Sequence, residues 1–332
     1  MSKRIVFNQT GDADVLEIIE HTEPAPAAGE VQIKVHAIGL NRADIMYRNG
    51  ETGVKDFPAR LGYEASGEVV AVGGGVAGFA VGDRVASIPA FSFADYAAYG
   101  EIVNLPARAL VKMSAGQSWV EAAASWMQYI TAFGALVAYA RLQAGDFVII
   151  NAASSSVGVA AIQIANMVGA VPIAVSRSAA KTQELLDAGA KQVIVAAEEN
   201  LSERVLAITG GKGARVAFDP VGGKGATEIL NALSDEGQYY QYGTLSGEPL
   251  TVPAWTLIGK RLTLRGYVLF DITQNAQKLA QAKAFITQGL SDGRLKPLIA
   301  KVFDFDDVRQ AHRLMEQGSQ VGKIVLQTHL QQ

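Results

Sequence analysis

The feature that most constrains this chain is a short apolar run that leads through small residues into a helical pattern. Phe147-Val148-Ile149-Ile150 is uninterrupted and uncharged, as in a central parallel strand that is covered on both faces. After it, apolar residues recur at helical spacing from Val157 to Val168, and Gly169 then ends the pattern. A buried strand, a tight turn and a helix in this order predict a βα unit.

The alternation continues along the chain. Strands are predicted at 171–175, 192–195 and 215–218, and helices at 179–188 and 201–208. Strands that alternate with helices predict an α/β fold with a right-handed, doubly wound parallel sheet.

Residues 1 to about 115 have a different pattern, in which strands are separated by glycine turns. The stretch 31–37 alternates strictly, so Gln32, Lys34 and His36 are predicted to face solvent. Runs at 68–72 and 81–85 flank a triple glycine and predict further strands. These patterns indicate a small, mostly antiparallel β domain.

The tail predicts a return to this first domain. Asp304 or Asp306 is expected to cap a helix that runs to Glu316 and ends at Gly318, before a last strand at 322–326. Further back, Ser118 and Glu121 have capping-box spacing, ahead of a stretch without charges at 122–140. That stretch is alanine-rich and carries polar residues, so we expect a buried helix of a soluble protein and no membrane span.

Composition excludes several classes of protein. The 332 residues suggest about two domains, and 49% hydrophobic against 18% charged residues excludes disorder. Cysteine is absent and histidine occurs four times, so disulfides, thiol catalysis and cysteine-ligated metals are excluded and no metal site is expected. A net charge of −3 gives no general attraction for nucleic acid or anionic lipid. With no secretory signal pattern at the start, we expect a cytoplasmic protein.

The turn between the buried strand and the helix is the first candidate site. A dinucleotide needs its pyrophosphate against free backbone N–H groups at a helix N-terminus, with small side chains that allow close approach. The turn departs from Gly-x-Gly-x-x-Gly, because only its last glycine remains, and a plain helix cap with a polar loop is the alternative. The predicted phosphate-binding residues are Ser154, Ser155, Ser156, Val157 and Gly158.

The end of the second strand indicates which dinucleotide would bind. An NAD site offers a carboxylate there, but this chain has Ser176 and Arg177, with Lys181 one turn into the following helix. A guanidinium can hold a 2′-phosphate through paired hydrogen bonds, so NADPH is predicted. The alternative is that both cations are ordinary surface residues.

A third candidate is the glycine-containing turn at 242–247. At the carboxyl edge of a parallel strand, Gly243 and Thr244 would face the same crevice. An ordinary loop explains the same residues.

Taken together, these residues resemble a known family, the medium-chain dehydrogenase/reductase superfamily, in its zinc-independent quinone oxidoreductase (zeta-crystallin-like) branch. The motifs that carry the resemblance are 39–46 (GLNRADIM), 62–67 (GYEASG), 81–85 (VGDRV), 151–158 (NAASSSVG), 219–223 (DPVGG) and 322–326 (GKIVL). Each is modest by itself, and their order and spacing over the whole chain make the resemblance specific.

The resemblance implies a GroES-like, mostly β catalytic domain at 1–120, a Rossmann domain at 121–265 and a C-terminal return at 266–332. It places the nicotinamide end of the cofactor near Asn41 and Asp44, which are expected catalytic residues. Three more residues are implied at the cofactor: Gln128, Thr131 and Lys323. It also implies a homodimer.

The resemblance shows what the chain lacks. Zinc-dependent relatives have a cysteine where Asn41 stands and a histidine where Tyr63 stands. Without these ligands there is no Lewis acid to activate an ordinary ketone. An acceptor that is already electron-poor, such as a quinone or a conjugated enone, can take hydride without one.

The group that faces the acceptor is less defined. Related reductases often carry a tyrosine where this chain has Thr52, and Tyr47, about one turn earlier, is the expected substitute as a hydrogen-bond donor. A packed helix aromatic is the alternative for Tyr47, and Trp126 is either a pocket residue or core.

The leading functional prediction is an NADPH-dependent reductase of quinones or related α,β-unsaturated carbonyls, with a small-molecule acceptor and no nucleic-acid partner. The alternatives are an enoyl-thioester reductase and an NADPH-binding protein with little catalysis.

Overall fold

The computed structural model describes residues 1–329, which form two compact units. One unit comprises residues 1–127 and 297–329, and the other comprises residues 128–296. The chain therefore returns to the first unit at residue 297, and 266–296, which the sequence analysis assigned to the return, lie with the second unit. The reason is packing, because Gly289 lies against Met167 within the second unit.

Sixteen strands are found in the described part of the chain. They are β1 (Ser2–Phe7), β2 (Leu16–His21), β3 (Glu30–Gly39), β4 (Ala59–Arg60), β5 (Glu64–Val72), β6 (Arg84–Ser87), β7 (Ile102–Pro106), β8 (Leu110–Lys112), β9 (Phe147–Ile150), β10 (Val171–Ser176), β11 (Gln192–Val195), β12 (Ala214–Asp219), β13 (Leu233–Gln241), β14 (Thr263–Gly266), β15 (Ile299–Asp304) and β16 (Lys323–Gln327).

Eleven α-helices are found in the same residues 1–329. They are α1 (Arg42–Arg48), α2 (Trp119–Ala123), α3 (Trp126–Phe133), α4 (Ser156–Met167), α5 (Thr182–Asp187), α6 (Leu201–Ile208), α7 (Ala226–Asn231), α8 (Ala254–Gly259), α9 (Phe270–Thr273), α10 (Ala276–Ser291) and α11 (Val308–Gln317). A π-helical turn, Gly134–Tyr139, follows α3.

The second unit is built on a parallel sheet with the strand order β11-β10-β9-β12-β13-β14. The chain starts in the middle at β9, moves outward to β11, and then crosses back to β12. This is the order of dinucleotide-binding folds, in which ligands bind beyond the carboxyl ends of the strands where the order reverses. The predicted doubly wound parallel sheet is confirmed.

The first unit is mostly antiparallel, as predicted. Its larger sheet has the order β15-β16-β3-β5-β6-β8, with β7 also paired to β3, and only β15 and β16 run parallel. A smaller sheet has the order β2-β1-β4. The C-terminal strand β16 thus pairs with β3 inside this unit.

The prediction that His36 faces solvent is wrong. Its ring is 8% exposed and stacks on Trp119, with 4.5 Å between the ring centroids. Exposure alternates along β3 only as far as Val35, and every residue from Val35 to Gly39 is buried. Helix α2 packs on this end of the strand, so both faces are covered there.

The two helix-start predictions have different outcomes. The capping box is confirmed, because the Glu121 amide donates to Ser118 Oγ at 3.2 Å and the Ser118 amide donates to Glu121 Oε2 at 2.9 Å. For α11 the prediction is confirmed in part: Asp304 is the N-cap of a 3₁₀ turn, Phe305–Asp307, that leads into the helix, whereas the N-cap of α11 itself is Asp307.

The stretch without charges at 122–140 is divided between α2, α3 and the π turn. Among residues 1–329, no helix combines the length and the apolar character that a bilayer crossing requires.

Candidate active site

The candidate cofactor site begins at the turn that joins β9 to α4. Ser155 caps the helix, because its Oγ accepts a hydrogen bond from the Gly158 amide at 3.0 Å. The amides of Ser156 and Val157 lie in the first helical turn, where backbone donors have no acceptor within the helix. Their N–H groups and the helix dipole favour an anion at this end of α4.

Glycine is required at position 158. A Cβ built there would lie 2.5 Å from the carbonyl oxygen of Ala153, which is closer than real Cβ contacts allow. The first turn of α4 therefore packs directly on the preceding loop. This close approach is the role of the last glycine in the dinucleotide motif, and it fits a bound pyrophosphate.

A pair of cations lies at the same edge of the sheet. The turn joins β10 through a hydrogen bond from the Ala153 amide to the Val175 carbonyl at 3.1 Å. Lys181 Nζ donates to Ser154 Oγ at 3.2 Å, and Arg177 is exposed at the end of β10. Burial and then the positive charge of Arg177 lower the pKa of Lys181. Two cations that repel each other beside a serine hydroxyl are suited to a phosphate group, which would neutralise both.

Ser176 has a supporting contact in this turn. Its hydroxyl donates to the Ser178 carbonyl at 3.1 Å and accepts from the Ser178 amide at 3.3 Å. The hydroxyl thus shapes the turn that carries Arg177.

The turns after β9, β12 and β13 are tied together by a buried carboxylate. Asp219 accepts hydrogen bonds from the Asn151 side chain at 2.9 Å, from the Val221 amide at 2.7 Å and from the Tyr239 hydroxyl at 2.6 Å. Gly243 lies in the third turn, where a Cβ would be 2.8 Å from the Pro220 carbonyl oxygen. The glycine there is a packing requirement.

The other predicted cofactor residues have separate surroundings. Thr244, next to Gly243, is exposed. On α3, Gln128 and Thr131 are buried, and the amide oxygen of Gln128 accepts no hydrogen bond from the described residues. A buried acceptor of this kind fits a ligand that carries an N–H donor.

In the first unit, the residues at the start of α1 belong to a buried ionic cluster. Lys323 Nζ donates to Asn41 Oδ1 at 2.6 Å and to Glu64 Oε2 at 2.5 Å, and both charged side chains are 1% exposed. Asn41 Nδ2 donates to the Gly39 carbonyl and to Glu64 Oε2, each at 3.1 Å. Glu64 Oε1 accepts from the Met127 amide at 2.8 Å. The side-chain amide of Asn41, a predicted catalytic residue, is fully engaged in this cluster, and two of the three ammonium hydrogens of Lys323 are donated within it.

Asp44 lies at the end of a second chain of hydrogen bonds. Its Oδ2 accepts from the Asn41 amide at 2.7 Å and from the Tyr99 hydroxyl at 3.0 Å. The next links are Tyr99 OH to His312 Nε2 at 3.3 Å and His312 Nδ1 to Arg48 at 3.0 Å. Because arginine only donates, His312 carries its proton on Nε2, and every donor in the chain points toward Asp44.

The ionisation of this chain is strongly shifted. Burial raises the pKa of Asp44 to about 7, although the hydrogen bonds from Asn41 and Tyr99 oppose the shift. Burial and then the charge of Arg48 lower the pKa of His312 to about 3. Asp44 Oδ1 accepts no hydrogen bond from the described residues. One carboxylate oxygen is therefore fixed and the other is available.

Tyr47 and Tyr63 both contact the ring of Phe93. The centroid distances are 4.7 Å for Tyr47 and 3.9 Å for Tyr63, whose ring is stacked at 28°. Burial raises the pKa of both hydroxyls, so both keep their protons and remain hydrogen-bond donors. Tyr47 also meets Phe7 edge to face, which agrees with the alternative of a packed aromatic.

Comparison with known proteins gives the family. Residues 27–115 match the model of the alcohol dehydrogenase GroES-like domain, and residues 156–286 match that of the zinc-binding dehydrogenases. The chain is 38% identical over 221 residues to a quinone oxidoreductase of Salmonella typhimurium. The aligned region covers 67% of this chain and 66% of that protein. A structure of Escherichia coli quinone oxidoreductase complexed with NADPH has a TM-score of 0.88 and 31% identity, and the match covers 98% of this chain and 99% of that one.

The chain belongs to the medium-chain dehydrogenase/reductase superfamily. Within this superfamily of oxidoreductases, its similarity places it in the quinone oxidoreductase branch. The structure of CurK enoyl reductase is also similar, with a TM-score of 0.87 and 26% identity over 98% of this chain and 99% of that one.

Zinc, which the name of one matching family implies, does not fit the residues of this member. Asn41 and Tyr63 stand at the two positions where the resemblance implies zinc ligands, and the Asn41 oxygen already accepts a hydrogen bond from the Lys323 ammonium. Zinc ligands in proteins are thiolate, imidazole and carboxylate. The sequence has no cysteine, and residues 1–329 contain no grouping of three or more histidine, aspartate or glutamate side chains suited to a metal.

Sequence reasoning missed the partners of Asn41. The Glu64–Lys323 ion pair joins residues 259 positions apart, and no local pattern indicates it. For Tyr63, the motif at 62–67 marks the position in the sequence, but no local pattern indicates the surroundings of its hydroxyl.

Proposed function

We propose that the chain is an NADPH-dependent reductase of quinones or related α,β-unsaturated carbonyls that works without zinc. The observation that carries the proposal is the pairing of two features. In the second unit, Arg177 and Lys181 lie beside a serine turn at the start of α4. In the first unit, the buried ammonium of Lys323 donates a hydrogen bond to Asn41, the residue that stands where the resemblance implies a zinc ligand. The first feature favours a phosphorylated dinucleotide, and the second favours an acceptor that needs no Lewis acid.

The residues of the chain have defined tasks in this proposal. The amides at the start of α4 would hold the pyrophosphate, and Arg177, Lys181 and Ser154 would hold the 2′-phosphate. Gln128 would accept a hydrogen bond from the nicotinamide end of the cofactor. When bound, NADPH supplies the hydride, and the protein contributes mainly positioning.

The proposal is tested by NADPH oxidation with a panel of quinones and cyclic enones, with and without a chelator. We expect turnover that the chelator leaves unchanged, with less than one equivalent of zinc in the active protein. Turnover that disappears on chelation and returns with added zinc contradicts zinc independence. Absence of turnover over the whole panel contradicts the reductase itself.

An enoyl-thioester reductase is the second candidate, favoured by the similarity to CurK enoyl reductase. Such an enzyme needs room for a carrier arm, and it normally has a tyrosine where this chain has Thr52. Crotonyl-CoA assayed beside a quinone separates the candidates, because a higher kcat/KM for the thioester would favour the second.

We also propose that the protein is a homodimer. The outermost strand β14 of the parallel sheet is flanked in sequence by three strongly exposed apolar residues, Trp255 (86%), Ile258 (66%) and Val268 (56%). Contiguous exposed apolar patches typically mark contact surfaces, and we expect these three side chains to contribute to one. Sedimentation should give a dimer for the wild type and a monomer for W255E, and a monomeric wild type contradicts the proposal. A cytoplasmic location and the absence of a nucleic-acid partner remain predictions.

A further inference from the structure

The main chain at Tyr63 is held rigidly. Its carbonyl accepts a hydrogen bond from Ser87 Oγ at 2.8 Å, and the carbonyl of Gly62 accepts one from the Ala98 amide at 2.9 Å. Gly62 has φ +105°, and a Cβ there would lie 2.1 Å from the ring of Tyr99. Only glycine fits that position, so the chain before Tyr63 packs directly against the Tyr99 ring.

The side chain of Tyr63 is also fixed. Its ring stacks on Phe93 and meets Phe91 at 5.6 Å and 46°, and the residue is 7% exposed. Aromatic contacts at these distances hold a ring in one orientation. The hydroxyl is therefore carried by a rigid support and costs little reorganisation when it meets a ligand.

The surroundings of the hydroxyl favour donation of a hydrogen bond. Burial, the carboxyl of Asp44 and the hydroxyl of Tyr47 all raise the pKa of Tyr63, in that order, so the phenol keeps its proton. Asp44 Oδ1, the available oxygen described above, belongs to the same neighbourhood.

We propose that Tyr63 is a catalytic residue that donates a hydrogen bond to the carbonyl oxygen of the acceptor. When NADPH gives its hydride to the β-carbon of a conjugated carbonyl, the electron pair of the double bond moves onto the carbonyl oxygen and an enolate forms, which then takes a proton from solvent at the α-carbon to give the saturated ketone. A preorganised donor stabilises the negative charge on the oxygen as it develops. A phenol polarises a carbonyl less than a metal ion does, so the proposal also sets the substrate class: conjugated carbonyls are reduced and saturated ketones are not. This inference rests on the proposed reductase function.

The test compares Y63F with Y96F. Phenylalanine at 63 keeps both ring contacts and removes only the hydroxyl. Tyr96 also contacts Phe91, but its hydroxyl donates to Glu30, so Y96F is a matched control for loss of a phenol in the same unit. For a cyclic enone we expect kcat to fall about 100-fold in Y63F, the size of effect typical for loss of one such donor. The KM for NADPH should stay within about twofold in both variants, and Y96F should retain the wild-type kcat.

A kcat of Y63F within about twofold of the wild type overturns the proposal, and so does an equal loss in Y96F. A crystal structure of the wild-type protein with NADP⁺ and the saturated ketone product is a second test of the role of Tyr63, and it does not depend on whether a variant folds. We expect the ketone oxygen within about 3 Å of the Tyr63 hydroxyl, and an oxygen bound elsewhere contradicts the role. If the wild type itself turns over no quinone or enone, the reductase function fails; if it turns over and Y63F is unaffected, only the role of Tyr63 fails.

Discussion

Replacing Asp44 by asparagine should change how the stability of the protein depends on pH. Both hydrogen bonds to this carboxyl reach the same oxygen, Oδ2, so the amide oxygen of asparagine can accept both. The amide nitrogen then takes the place of Oδ1, which accepts nothing from the described residues. The variant therefore keeps the local contacts and removes only the ionisation.

The size of the change follows from the shifted pKa values of Asp44 and His312, the two titrating groups in this chain of hydrogen bonds. The pKa of Asp44 is raised from 3.8 to about 7, so between these values the folded chain binds a proton that the unfolded chain has lost. The contribution of Asp44 to stability is complete below about pH 4 and is lost as the pH rises to about 7. From pH 5 to pH 7 the loss is about 3 kcal/mol, at about 1.4 kcal/mol per pH unit.

His312 acts in the opposite direction. Its pKa is lowered from 6.5 to about 3, so the unfolded chain binds more protons in this range and stability rises with pH up to about 6.5. In the wild type the two contributions largely offset each other. In D44N the rise from His312 is left uncompensated, and we expect the free energy of unfolding to increase by about 2 kcal/mol between pH 5 and 6.5.

Urea unfolding of the wild type and D44N at pH 5, 6 and 7 measures the effect. The stability of D44N relative to the wild type should rise by about 3 kcal/mol over this range. D95N, which neutralises an exposed carboxylate of the same unit, is the control and should show no such trend. A difference between D44N and the wild type that stays constant with pH would refute the assignment of a raised pKa to Asp44.

Three further predictions concern the cofactor site and the ionic cluster. R177A should lower the preference for NADPH over NADH in kcat/KM by about 10-fold or more, because a charged hydrogen bond to the 2′-phosphate is lost. An unchanged ratio would show that Arg177 does not bind the 2′-phosphate. G158A forces a Cβ to within 2.5 Å of a carbonyl oxygen, so the Kd for NADPH in a fluorescence titration should rise and the melting temperature fall. In the control G259A no atom lies within 4 Å of the added carbon, so the Kd should stay unchanged and the melting temperature should not fall. K323M leaves the Glu64 carboxylate buried without its cation, so the free energy of unfolding measured in urea should fall by about 3–5 kcal/mol. If the stability is unchanged and only the Kd for NADPH rises, Lys323 is a cofactor residue, as the resemblance implies.

Much of the parallel-sheet unit was predictable because its information is local. The run Phe147–Ile150 is found as β9 with the predicted bounds, and Gln192–Val195 and Leu201–Ile208 likewise match β11 and α6. A continuous apolar run bounded by turn residues indicates a buried strand wherever it occurs. The position of the turn between β9 and α4, the predicted phosphate site, could be predicted for the same reason, since strand, small residues and helix are adjacent in sequence.

The first unit was less predictable because its contacts are distant in sequence. His36 follows the alternating pattern of an exposed strand residue, and only the packing of α2 on β3 buries it. Lys323 reaches Asn41 and Glu64 from the other end of the chain. Periodicity reports which face of an element is apolar, but it does not report which element covers that face.

The position of Lys323 has a consequence for synthesis on the ribosome. The parallel-sheet unit is one continuous segment, residues 128–296, so all of it emerges before the last strand. Glu64 leaves the ribosome early, but its ion pair cannot form until Lys323 has also left the exit tunnel. Because domains generally fold as units during translation, the nucleotide-binding half is expected to mature first, while the half with the earliest residues is completed last. A nascent chain stalled before β16 should resist proteolysis in the middle of its sequence and be cleaved near its beginning.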